Sequence, residues 1–187
     1  MFKRPPPLIG IIALSLFAIV MTGGRALAQN APQRGGFTIL LDLGAGVQRD
    51  GSSQESTVGL AGLNLGVGGF LTKDLALMFR LSGTSAQHDH VSPSGLPTLR
   101  LSRVSGVGGT TLQYWVSDRF NVEGGGGWGH WTIKGGNALA FGLIVGSGVT
   151  IFNRGKHNLQ FGVHYAPAFT NPRTVHNIGF TVGYQFL

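Results

Sequence analysis

Cysteine is absent from all 187 residues. This excludes a disulfide framework and thiol chemistry, and it leaves no residue to carry a bacterial lipoprotein anchor after a secretion signal. Charge is scarce as well: Asp, Glu, Lys and Arg make up 11% of the chain, against about 25% in ordinary soluble domains. The basic residues are scattered rather than clustered, so no nucleic-acid partner is expected. Carboxylates are the scarcest group, and none follows Glu123. No apolar run reaches the roughly 20 residues of a spanning helix. The run Leu8–Met21, interrupted only by Gly10 and Ser15, stops at 14.

That run has its own explanation. Lys3 and Arg4 precede it, and Ala26-Leu27-Ala28 follows as a small-x-small cleavage site before Gln29. Residues 1–28 are therefore expected to be a secretory signal peptide. Residues 29–36 form a short polar lead, and residues 37–187 form one domain. Removing Lys3, Arg4 and Arg25 with the signal lowers the formal charge from +7 to +4. Glycine contributes 32 of 187 residues, more than twice the usual ~7%. It recurs inside strand-like stretches, where a soluble sheet avoids it. A crowded inward face of a narrow barrel would accept it.

In His176–Leu187 the residues Ile178, Phe180, Val182, Tyr184 and Phe186 alternate with small or polar partners. A period of two means a strand with one apolar face. This stretch resembles the C-terminal strand of bacterial outer-membrane β-barrels, with Phe186 penultimate and Leu187 last. The resemblance implies insertion by the barrel-assembly machinery, which reads the final aromatic.

Seven more strand-like stretches precede it: 37–47, 57–71, 75–86, 98–116, 120–133, 137–152 and 158–169. Thr72-Lys73-Asp74, Ser117-Asp118-Arg119 and 153–157 are tight turns, whereas 48–56 and 87–97 are long and polar. Short turns at one end and long loops at the other predict an all-β, eight-stranded antiparallel up-and-down transmembrane β-barrel. Closure satisfies every backbone group within lipid, which an open sheet cannot do. Both termini are then expected in the periplasm, in a monomer surrounded by outer-membrane lipid and lipopolysaccharide. Phe70, Tyr114, Trp115, Phe120, Phe152, Tyr184 and Phe186 are expected to form one aromatic belt. Trp128, Trp131, Tyr165 and Phe169 would form the other. A secreted lipocalin-like barrel would turn the same faces inside out, but its surface would carry unusually few charges.

With the small and polar face inward, Asp42, Arg80, Arg103 and Glu123 point into the lumen, with Gln160 and His164. Buried charges must be paired, so a polar network filling a narrow interior is expected. His88-Asp89-His90 lies in the second long loop and offers too few ligands for a closed metal site. No metal and no cofactor is assigned.

Glu123–Gly129, the strand 137–150, His164-Tyr165-Ala166 and Asn171-Pro172 together resemble the C-terminal half of the lipid A 3-O-deacylase (acyloxyacyl hydrolase) family. That family comprises outer-membrane barrels that cleave an acyl ester with a Ser-His-acid triad. The resemblance places His164 on the catalytic histidine and Ala166 on the nucleophile position. An alanine cannot attack an ester, and no acid follows Glu123, so His164 is expected to lack an orienting carboxylate. Ser147 and Thr170 are alternative hydroxyls. Two functions follow. One is a non-enzymatic barrel acting in envelope structure, adhesion or surface protection through its loops. The other is a deacylase-like hydrolase or its inactive relative.

Overall fold

The computed structural model describes residues 34–51, 56–90, 99–133, 136–169 and 174–187. The expected signal peptide, Thr170 and Asn171-Pro172 lie outside them. Strict alternation gives strands throughout: β1 (Phe37–Asp50), β2 (Ser56–Phe70), β3 (Leu75–His90), β4 (Leu99–Trp115), β5 (Phe120–Ile133), β6 (Gly136–Arg154), β7 (His157–Tyr165), β8 (Ala168–Phe169) and β9 (Thr174–Phe186). Pairing is antiparallel throughout: β1 to β6 each pair with the next, β7 and β8 both lie between β6 and β9, and β1 pairs with β9 to close the ring.

The ring has eight staves, not nine. Ala166 and Pro167 cut the expected seventh strand into β7 and β8, because proline has no N–H to give to the ladder. The register is unaffected. Tyr165 faces Val145 and Ala168 faces Gly142 on β6. Leu143 N still donates to Pro167 O at 3.0 Å.

Cross-strand partners followed round the ring fix its stagger. Leu40 leads through Gly66, Arg80, Gly109, Gly127, Gly142, Ala168 and Val175 back to Asp50, ten residues further along β1. With about 3.3 Å per residue and about 4.8 Å between strands, a ten-residue stagger over eight strands tilts them by roughly 40°. Such a barrel is just wide enough for side chains to fill.

Faces follow the sequence parity. On β3, Leu77, Phe79 and Leu81 are exposed, whereas Ala76, Met78, Arg80 and Ser82 are buried. On β9, Ile178, Phe180, Val182 and Tyr184 are exposed and Asn177, Thr181 and Gln185 are buried. An exposed belt of large hydrophobics over a buried polar interior is the inverse of a soluble domain. It is the arrangement that lipid requires.

Three expectations change. His88, Asp89 and His90 are not loop residues, because β3 continues through them, opposite Leu101, Arg100 and Leu99 of β4. The ladder extends past the apolar band, since backbone pairing does not need apolar side chains. Trp115 does not join a belt but points inward, 2% exposed. Phe70 also leaves the belt to pack on an inner cluster of Leu40, Ala76 and Met78. Tyr114, Trp128, Phe152, Tyr165, Phe169 and Tyr184 are exposed on the outer wall.

Candidate functional site

The inner face is built in layers. Parity aims Asp42 from β1, Arg80 from β3, Glu123 from β5 and His164 from β7 inward, and all four are buried. Arg80 is the hub, at 0% exposure. Its Nε lies 3.0 Å from Glu123 Oε1 and its Nη2 lies 3.5 Å from Asp42 Oδ2. Thr111 Oγ1 donates to Glu123 Oε1 at 2.5 Å. His164 Nε2 lies 3.4 Å from Asp42 Oδ2 and 3.1 Å from Thr181 Oγ1.

Space for the guanidinium comes from what surrounds it. Gly66, Gly109, Gly127 and Gly142 stand on the same hydrogen-bonded circuit as Arg80. A Cβ on Gly66 would come within 2.8 Å of Arg80 Cδ. Gly183 is tighter still, for a Cβ there would sit 1.6 Å from Asp42 Oδ1. Gly66 and Gly183 therefore make room for buried ionic groups, whereas a Cβ at Gly109, Gly127 or Gly142 would meet neighbouring backbone or Val107.

Gln160 belongs to a separate layer. Asn121 Nδ2 donates to Gln160 Oε1 at 3.2 Å, and Gln113 Nε2 donates to Asn121 Oδ1 at 3.2 Å. Gln185 Nε2 donates to Gln113 Oε1 at 2.8 Å and to Thr38 Oγ1 at 3.1 Å. These amides were visible to the same parity argument, but amides announce no chemistry and so attract no attention in a sequence. Arg103 is not brought to the Arg80 cluster. It stands opposite Ala86, six residues further along β3 than Arg80, roughly 20 Å along the strand.

At the turn end, Arg34 lies across Trp115, its guanidinium carbon 4.3 Å from the ring centroid. Its Nη1 lies 3.1 Å from Asp74 Oδ1 and its Nη2 3.3 Å from Asp118 Oδ1. Burial lowers the Arg34 pKa, opposed by the two carboxylates. Arg34, in the described end of the lead, thus ties it to two turns, and the sequence alone did not single this residue out.

The expectation that His164 lacks a carboxylate is corrected here. Barrel closure sets β1 beside β9, which sets it near β7, so Asp42 reaches the histidine from 122 residues away. A triad still does not form. Base catalysis needs acid and nucleophile on opposite ring nitrogens, whereas Asp42 and Thr181 share Nε2, and Nδ1 has no hydrogen-bond partner. Ala166 is buried beside Val107, Ile144 and Ala168. Ser147 pairs with Val163 on the outer face, opposite to His164. The His164 imidazole meets no hydroxyl nucleophile at its second nitrogen among the described residues. No group of metal-ligating side chains is found there either.

No family model and no curated protein matches the chain. Solved structures do. The attachment invasion locus protein Ail of Yersinia pestis superposes with a TM-score of 0.53 at 13% identity, over 81% of this chain and 99% of that one. Neisserial surface protein A superposes at 0.52 with 17% identity, over 81% and 96%. The fold is that of a small outer-membrane β-barrel. Ail has also been solved in complex with the heparin analogue sucrose octasulfate, and that structure superposes at 0.52 with 12% identity, over 81% and 99%. At these identities the likeness concerns the fold alone.

Proposed function

We infer that this chain is a bacterial outer-membrane barrel with no enzymatic role, acting in adhesion or surface protection through its longer loops. One observation carries the reading: polar side chains cross the lumen in two bonded layers, the Arg80 ion cluster and the Gln113–Asn121–Gln160–Gln185 amides. A filled interior favours a rigid support over a conduit. The long β3–β4 hairpin, continuing beyond the apolar band, then becomes the element offered to partners. Attachment is named for Ail, which supports adhesion as the first role to test. On this reading both termini face the periplasm, the monomer is surrounded by outer-membrane lipid and lipopolysaccharide, and the assembly machinery inserts it.

The test is an epitope placed either within residues 91–98 or at Lys73. The first should be labelled on intact cells and the second only after permeabilisation. Replacing 91–98 with a Gly/Ser segment should abolish cell adherence while the unheated gel mobility of the barrel is kept. Labelling at Lys73 on intact cells, or adherence unchanged by the replacement, would overturn the reading.

A further inference from the structure

On the outer wall, at the end away from the tight turns, β1, β2, β7 and β9 enclose an open cleft of about 540 Å³. Its floor is apolar, where Val47 faces Ile178 across the β1–β9 seam. Its rim is not. Arg49 stands opposite His176 of β9 on one side and Ser56 of β2 on the other. Tyr165 Oη and His176 Nδ1 are 2.7 Å apart, with their rings nearly parallel at 6°. A phenol donating to Nδ1 leaves the ring proton on Nε2. That nitrogen turns toward Gly51, where a Cβ would stand 3.8 Å away.

The cleft therefore gathers a guanidinium fork, an oriented imidazole N–H and a serine hydroxyl. No carboxylate lines it among the described residues. Such a donor set suits a phosphate. Its height suits one held by a lipid. Phe37 to Val47 spans ten residues of β1, which at about 3.3 Å per residue and a ~40° tilt rises about 25 Å, the height of an outer-membrane apolar band. Arg49 follows directly above that band, at headgroup level, with Val47 and Ile178 placed for the start of an acyl chain.

We propose that Arg49, His176, Ser56 and the Tyr165 phenol form a binding site for the phosphate of an outer-leaflet lipid. The side of the membrane rests on the orientation inferred above; the site itself does not. Tyr165 positions the imidazole, and Arg49 and His176 hold the phosphate.

Native mass spectrometry of the folded barrel in neutral detergent tests the site, with phosphatidic acid, phosphatidylcholine, diacylglycerol and inorganic phosphate as probes. One phosphatidic acid should bind per barrel, well ahead of phosphatidylcholine and diacylglycerol, with millimolar phosphate displacing it only in part. Arg49→Gln should weaken binding about tenfold, and Arg49→Gln with His176→Gln should abolish it. Lys73→Gln, which removes a charge at the opposite end, should change nothing. Equal binding of phosphatidylcholine, retention by the double variant, or full displacement by free phosphate would each overturn the proposal. Unheated samples verify that each variant is folded. A folded barrel that binds but is labelled at Lys73 on intact cells would refute the outer-leaflet assignment while keeping the site.

Discussion

Replacing Arg80 by methionine is the sharpest perturbation of this interior. Methionine fills much of the same space along the stem but removes the cation that Glu123 and Asp42 share at 3.0 and 3.5 Å. Both carboxylates are at most 5% exposed, so water cannot replace it. Breaking a buried ion pair by deleting one partner costs about 3–5 kcal/mol, because the surviving charge is left uncompensated. Here two survive, with Thr111 and His164 beside them among the described residues. We therefore expect Arg80→Met to lose at least about 3 kcal/mol in a urea titration of the barrel in lipid vesicles, with the folded fraction read from unheated gel mobility. Adding Glu123→Gln should restore part of that loss, since a neutral amide in the same shape needs no counter-charge and can still bond Thr111. The reasoning is refuted if Arg80→Met lies within about 1 kcal/mol of the wild type, or if the double variant is no more stable than the single one.

Two further perturbations test the assignment of faces. Phe180 is 47% exposed, opposite Ala45 and Val163, so Phe180→Arg should cost about 2–4 kcal/mol in vesicles. Thr181→Ser keeps the hydroxyl beside His164 and should cost under about 1 kcal/mol; equal folding yields for the two would mean that the faces are misassigned. Gly183→Ala should fold far less well than Gly124→Ala. A Cβ at Gly183 falls on Asp42, while one at Gly124 meets nothing within 4 Å. Similar urea midpoints would show that Asp42 moves aside without loss.

The strands and most of their faces were legible because alternation is a local signal that a closed barrel uses along nearly all of each strand, apart from the register shifts at Asp42/Gly44, Ala61/Leu65 and Thr150/Phe152. Asp42, Arg80 and Glu123 were legible as inward residues for the same reason. Their partners were not, since partnership depends on stagger, and stagger is a property of the closed ring. Thus the Asp42–His164 contact joins residues whose sequence positions suggest nothing in common, and Gln160 takes its bonds from amides rather than ions. Trp115 misled because an aromatic near a strand end suggests a belt, whereas Arg34 offers it a cation from inside. Residues 158–169 read as one strand in the sequence, because their alternation continues past Pro167. The proline breaks the ladder there, yet the register survives because the carbonyl side is kept.

The ion cluster draws its members from β1, β3, β5 and β7, and Thr181 of β9 completes it. None of β1, β3, β5 and β7 follows another directly in the chain. Contacts between residues as far apart as Asp42 and His164 form only after loop closure over most of the polypeptide, which makes folding slow and strongly cooperative. A hairpin or half-barrel intermediate would hold Asp42, Arg80 or Glu123 without its partners, a costly state in an apolar environment. The interior thus penalises partial insertion, and closing β1 against β9 is the step that brings Asp42 to His164 and Thr181.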